Sequence, residues 1–97
     1  MELEFSGDVW YWRGPSPFFF VTVPDGLCAD LRDAADVVSY GWGMIPVTAR
    51  IGATEWTTAL FPKDGAYAVP LKAAARAREE VGEGDTVNVR LKVDGLD

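Results

Sequence analysis

Histidine is absent from the chain, and cysteine occurs once, at Cys28. With no imidazole and a single thiol, one chain cannot build a structural zinc site, a histidine-based triad, a Cys–His nucleophile pair or an internal disulfide. Any acid–base chemistry would fall to carboxylates, lysine or tyrosine. Positive charge is also scarce: nine Lys and Arg stand against fifteen Asp and Glu, a net charge of -6. A field of that sign repels nucleic acid and anionic lipid, so neither is an expected partner. Long apolar runs are missing too. No stretch approaches the roughly 20 residues that cross a bilayer. Met1 to Asp8 carries three acids where a signal peptide would begin basic and turn apolar. The expectation is a soluble, cytoplasmic domain with no metal and no cofactor, and the unpaired cysteine fits a reducing compartment.

What is present suffices for one core. The 97 residues are 48% hydrophobic and 25% charged, an ordinary globular balance, and residues 1–97 read as a single domain. Leu3, Phe5, Val9 and Tyr11 recur with period two, which predicts a strand from Glu2 to Trp12 with Trp10 and Trp12 on its other face. Arg13-Gly14-Pro15-Ser16-Pro17 is a loop, and the aromatic, β-branched run Phe18 to Val23 is the returning strand. Both faces of this hairpin are bulky and apolar. One therefore belongs to the core, and the other requires a helix or a partner.

Pro24 ends that strand, and Asp25 is placed to cap a helix whose stripe is Leu27, Leu31, Ala34, Ala35 and Val38. Asp30, Arg32, Asp33 and Asp36 read as its solvated face. After Ser39-Tyr40-Gly41-Trp42-Gly43, Val47, Ala49 and Ile51 alternate with polar residues as a third strand. A turn at Gly52-Ala53 leads into a fourth over Thr54 to Phe61. Pro62-Lys63-Asp64-Gly65 is expected to be a turn, followed by a short strand through Tyr67 and Val69 that Pro70 stops. Leu71 to Val81 then reads as a helix with Leu71, Ala74, Ala75 and Arg78 on one stripe, ended by Gly82. Val87, Val89, Leu91 and Val93 alternate strictly with Thr86, Asn88, Arg90 and Lys92, the clearest strand in the chain. The order is β-β-α-β-β-β-α-β. A mainly β, closed, six-stranded Greek-key-like barrel with two helices hides the edges of so many short strands.

Four motifs occur in order: Gly43-Met44-Ile45-Pro46-Val47, Trp56-Thr57-Thr58-Ala59-Leu60-Phe61-Pro62, Leu71-Lys72-Ala73-Ala74-Ala75-Arg76 and Gly84-Asp85-Thr86-Val87. Together they resemble bacterial proteins grouped as domain of unknown function 1905, from about Leu3 to Val93. The resemblance implies a closed six-stranded barrel with two helices. It implies no reaction and supplies no catalytic residues.

Candidate chemistry is sparse. Gly41-Trp42-Gly43 lacks the further glycines and the following helix of a phosphate loop. Glu79 and Glu80 are neighbours on a helix and diverge by about 100°. Cys28 reads as a small buried hydrophobe. An enzyme working through a carboxylate or tyrosine base is therefore the least supported reading. The aromatic excess is more informative, because so many rings cannot all fit inside a small barrel. One reading is a noncatalytic module that holds a small apolar or anionic ligand at a mouth lined by Tyr40, Trp42, Arg50, Lys72 and Arg76. Another is a structural or interaction domain that forms a homodimer, or docks to another chain, through the hairpin carrying Trp10 and Trp12. Lys72 and Arg76 near the start of the second helix, with Glu79 and Glu80 near its end, oppose the helix dipole. An Arg76–Glu80 pair at i,i+4 would offset part of that, whereas Lys72 has no such partner, and the alternative is that Lys72 and Arg76 attract a carboxylate or phosphate group of a ligand near the barrel mouth.

Overall fold

The computed structural model describes residues 1–14, 18–38, 41 and 43–95. Eight elements follow in the expected order: β1 (Glu2–Trp12), β2 (Phe18–Thr22), α1 (Asp25–Val38), β3 (Ile45–Ile51), β4 (Thr54–Lys63), β5 (Ala66–Leu71), α2 (Ala73–Glu79) and β6 (Thr86–Val93). The strands close into a barrel in the order β1-β2-β5-β4-β3-β6, every pairing antiparallel. β3, β4 and β5 form a meander. The helical connections set β2 beside β5 and β6 beside β3, which makes two overlapping Greek keys.

β1 and β4 are the longest strands, with 11 and 10 residues, and each is shared by two sheets. Glu2 to Asp8 pair with β6, whereas Val9 to Trp12 pair with β2. Thr54 to Leu60 pair with β3, whereas Phe61 to Lys63 pair with β5. The first sheet therefore holds the leading halves of β1 and β4 with β3 and β6, and the second holds their trailing halves with β2 and β5. Gly7 lies at the corner of β1, where an added Cβ would stand 2.7 Å from Val21 Cγ1. Only glycine lets β2 come this close at the bend.

Inward positions are filled by aliphatic side chains, with Val21, Ile45, Val47, Leu60, Val69 and Val89 fully buried. α1 adds Cys28, Leu31 and Ala34 to the same core. It touches both β3 and β5, which are not neighbours in the barrel, so it spans an open end rather than lying on an outer face. Trp56 is also buried, and its Nε1 donates to the Pro70 carbonyl at 3.0 Å. Asp25 is the first residue of α1 rather than the cap before it, and its carboxylate serves the positive end of the helix dipole.

Of the three prolines expected to end strands, Pro24 lies beyond β2, but Pro62 and Pro70 lie inside strands. β4 runs through Pro62 to Lys63, and the turn is the two residues Asp64 and Gly65, with φ of 52° and 80°. That is a type I′ hairpin, with Lys63 and Ala66 as the flanking bonded pair. At the next pair, Pro62 and Tyr67, polar groups point away from the partner strand. The Tyr67 carbonyl accordingly accepts from Val23 N at 2.8 Å, and the missing N–H of Pro62 removes no β4–β5 bond. Pro70 pairs with Phe20, and β5 continues to Leu71, opposite Phe19.

α2 is shorter than its run of helix formers suggests. Leu71 belongs to β5, and the helix ends where Glu80 turns left-handed at φ 54°. Val81 N donates to the Arg76 carbonyl at 2.9 Å and Glu80 N to that of Ala77 at 3.4 Å, a Schellman close reached before Gly82. The buried position is Ala75 alone, with Arg76 and Glu79 half-buried, while Ala74 and Arg78 face solvent.

Candidate functional site

Outward-facing residues of a closed barrel are ordinarily polar, and on the first sheet they are. Glu2, Glu4, Ser6 and Asp8 of β1, Glu55 and Thr57 of β4, and Asn88, Arg90 and Lys92 of β6 all face solvent there. At the point where β1 and β4 enter the second sheet, the outward pattern changes. The next outward residues of β1 are Trp10 and Trp12, and β4 continues with Ala59 and Phe61. Phe18 and Phe20 of β2 and Ala66, Ala68 and Pro70 of β5 face the same way, by strand alternation and register.

The rings form one connected group. Trp10 stacks on Phe20 with centroids 5.0 Å apart, Phe18 lies 5.7 Å from Phe20, and Phe61 meets Phe20 edge-on at 6.1 Å. Trp10 Nε1 is satisfied by Thr22 Oγ1 at 2.9 Å. Trp12 folds over the Gly14 backbone, leaving no space there for a side chain. Trp12, Phe18 and Phe61 nevertheless remain 42%, 37% and 42% exposed. A groove of about 240 Å³ runs between Trp10, Trp12, Phe61 and Lys63. Neither helix covers this face: α1 packs on β3 and β5 at the barrel end, and α2 packs on β4. The sequence pattern had isolated the hairpin aromatics but not Phe61. Its signal was the same change from polar to aromatic outward residues along β4.

Of the five residues expected to line a ligand mouth, the three described ones divide between two places, with Arg50 apart from Lys72 and Arg76. Tyr40 and Trp42 lie outside the described residues. Arg50 donates from Nε to the Gly52 carbonyl at 2.8 Å and stands 4.0 Å from the Glu55 carboxylate. It borders a polar groove of about 630 Å³ with Glu79, Glu80, Asp85, Asn88 and Arg90, at the C-terminal end of α2. Lys72 is the N-cap residue at the opposite end of that helix. Arg76 forms no ion pair with Glu80 among the described residues. The i,i+4 geometry is lost because Glu80 has already left the helix. The seven-residue helix also puts Arg76 and Arg78 in its last turn, where the dipole favours cations, so the expected conflict is left at Lys72 and at Glu79 and Glu80 on the C-terminal end.

Arg76 instead lies over Phe19, with Cζ 3.8 Å from the ring centroid. Phe19 in turn meets Tyr11 at 4.7 Å, and Arg13 stands 5.5 Å from the Tyr11 ring. Cys28 is buried, with Sγ directed at the Val23 and Pro24 carbonyls. Thr54 is buried and donates to Glu79 Oε2 at 2.7 Å, which ties α2 to the β3–β4 turn.

Among the described residues Tyr67 is the buried tyrosine, and burial pushes its hydroxyl above the ordinary value of 10.0, with nearby Arg32 partly opposing. It is a neutral phenol at neutral pH and no base. Because the folded state holds this proton longer than the unfolded chain, stability is expected to decline as pH rises past about 10. Thermal melts across that range, read beside phenolate absorbance, check this. The Tyr67→Phe variant should lose part of the alkaline decline.

Residues 5–91 match the model of a family described as a domain of unknown function, DUF1905. No curated protein matches the chain.

Proposed function

The chain belongs to the DUF1905 family, and since that description carries no activity, we propose from its surface that it is an interaction module that pairs with a second copy of itself. The contact is the outer face of the second sheet. One observation carries this reading: the outward residues of β1 and β4 turn from polar to aromatic where those strands enter that sheet, and no helix lies over it. An apolar centre with a polar rim is the anatomy of an interface.

Charge placement favours a second copy as the occupant. The acids that make this chain negative lie elsewhere: Glu2, Glu4 and Asp8 on the first sheet, and Asp30, Asp33 and Asp36 on α1. Two acidic molecules meet with least repulsion where their acids are fewest. The rim carries Lys63 and Asp64, 3.7 Å apart and both exposed. A two-fold axis would bring each beside its opposite on the other copy, because an isologous contact is self-complementary. The buried free thiol of Cys28 supports a reducing, cytoplasmic setting.

Sedimentation of the native chain should show a dimer forming with concentration in the micromolar range. Trp12→Ser and Phe61→Ser should be monomeric and keep a cooperative melt, since both side chains lie on the outer face and outside the buried core. Trp10→Ala should lose stability as well, because it gives up a ring stack of about 0.5–1.5 kcal/mol and the bond to Thr22. A native chain that stays monomeric, or surface variants that dimerise like it, would contradict the proposal.

A further inference from the structure

We propose that the barrel end beneath the N-terminal turn of α2 is a binding site for an oxyanion, a phosphate or carboxylate group, held by Arg76, Lys72 and Arg13 over the Tyr11–Phe19 ring pair. The site is separate from the aromatic outer face, since Tyr11 and Phe19 point inward while Trp10, Phe18 and Phe20 point outward.

Register brings the three cations to one end. Tyr11 pairs with Phe19, and Phe19 with Leu71, so Lys72 follows directly on that row and Arg13 stands two residues beyond Tyr11. Among the described residues, none of the three lies within ion-pair distance of a carboxylate.

Arg76 is the centre of the arrangement. Its guanidinium is stacked 3.8 Å from the Phe19 centroid, and its Nε is enclosed with no acceptor among the described residues. Its terminal nitrogens reach solvent and make no hydrogen bond to a described residue. A guanidinium fixed by stacking on its flat face still offers its in-plane N–H edge, the geometry that pairs with two oxygens of one anion. An enclosed N–H without an acceptor is costly, and an oxyanion that reaches the same edge of the guanidinium would offset part of that cost. Lys72, exposed and making no side-chain cap, adds a mobile point charge one helical turn away.

Inorganic phosphate is the probe, titrated into the isotope-labelled native chain at constant ionic strength while amide and arginine Nε–H resonances are followed. Saturable shifts are expected at Tyr11, Phe19, Lys72 and Arg76, with sulfate competing. Loss of one charge-assisted bond should weaken binding about tenfold in Lys72→Ala, whose melting temperature should match or slightly exceed native. Arg76→Lys keeps the charge but removes the fork and should also bind more weakly. If Arg76→Lys fails to fold, Lys72→Ala and Arg13→Ala, both at exposed positions, decide the matter. Shifts that never saturate, or affinities equal to native in Lys72→Ala and Arg13→Ala, would overturn the site. A carboxylate probe such as acetate, titrated in parallel, distinguishes a phosphate preference from general oxyanion binding.

Discussion

Val89→Asp is expected to abolish the cooperative fold. Val89 is fully buried in the middle of β6, paired with Phe5 of β1, and its side chain enters the barrel core. A carboxylate there must either ionise without a partner or hold its proton among aliphatic groups, and each course costs several kcal/mol. Domains of this size have only about 5–15 kcal/mol in total. Circular dichroism should show no sigmoidal melt for this variant. Asn88→Asp, one residue away on the solvent face, should remain within about 0.5 kcal/mol of native. A native-like melt for Val89→Asp would mean that β6 is turned the other way, because a one-residue slip sends all four of its apolar side chains outward.

Gly7→Val should be the next most damaging change, and for a different reason. The new side chain would meet Val21 Cγ1 at 2.7 Å, and Val21 is fully buried and paired on both sides, with Val9 and with Val69. It has nowhere to move. Overpacking of this kind costs about 1–3 kcal/mol, which at about 4–8 °C per kcal/mol is a large drop in melting temperature. Gly26 provides the contrast: it lies in α1 with nothing within 4 Å of an added Cβ. Gly26→Ala should raise stability by about 0.4–1 kcal/mol through the entropy of the unfolded chain. Thermal melts of the two variants should therefore move in opposite directions. A neutral Gly7→Val would show that the barrel corner is looser than the packing around Val21 requires.

Strand existence was legible wherever one face is buried and the other solvated, as in β6 and in the leading half of β1. Period-two alternation is a direct image of that environment. Boundaries were less legible where tertiary pairing overrules local preference. Leu71 begins a run of helix formers, yet its side chain is needed inside the barrel opposite Phe19, so it stays in β5 and shifts the start of α2. Pro62 and Pro70 read as stops because the side to which a missing N–H would point depends on register, which a single strand does not reveal. The Arg76–Glu80 pair assumed that the helix continued through Glu80, and a left-handed residue there undid the spacing.

The aromatic surface was partly visible in the sequence. Trp10 and Trp12 were separable from the inward residues of β1 by alternation, but their neighbour Phe61 sits on a strand far away in sequence, brought near by the shared second sheet. Within the expected ligand mouth, the separation of Arg50 from Lys72 was hidden for the same reason in reverse. Arg50 and Lys72 both looked available, yet the fold sets them at opposite ends of α2. Lys72 and Arg76 do belong together, and the Tyr11–Phe19 floor and Arg13 become visible only once β1 and β2 are paired.

Two copies of the chain are expected to meet through the aromatic face of the second sheet. Isotope-filtered nuclear Overhauser spectra of a mixture of labelled and unlabelled chain measure that contact atom by atom. Intermolecular cross-peaks are predicted for the rings of Trp10, Trp12, Phe18 and Phe61 and for the side chain of Lys63, and for none of Thr57, Asn88 or Arg90 on the first sheet. Cross-peaks confined to the first sheet or to α1, or none at concentrations where the chain sediments as a dimer, would contradict it.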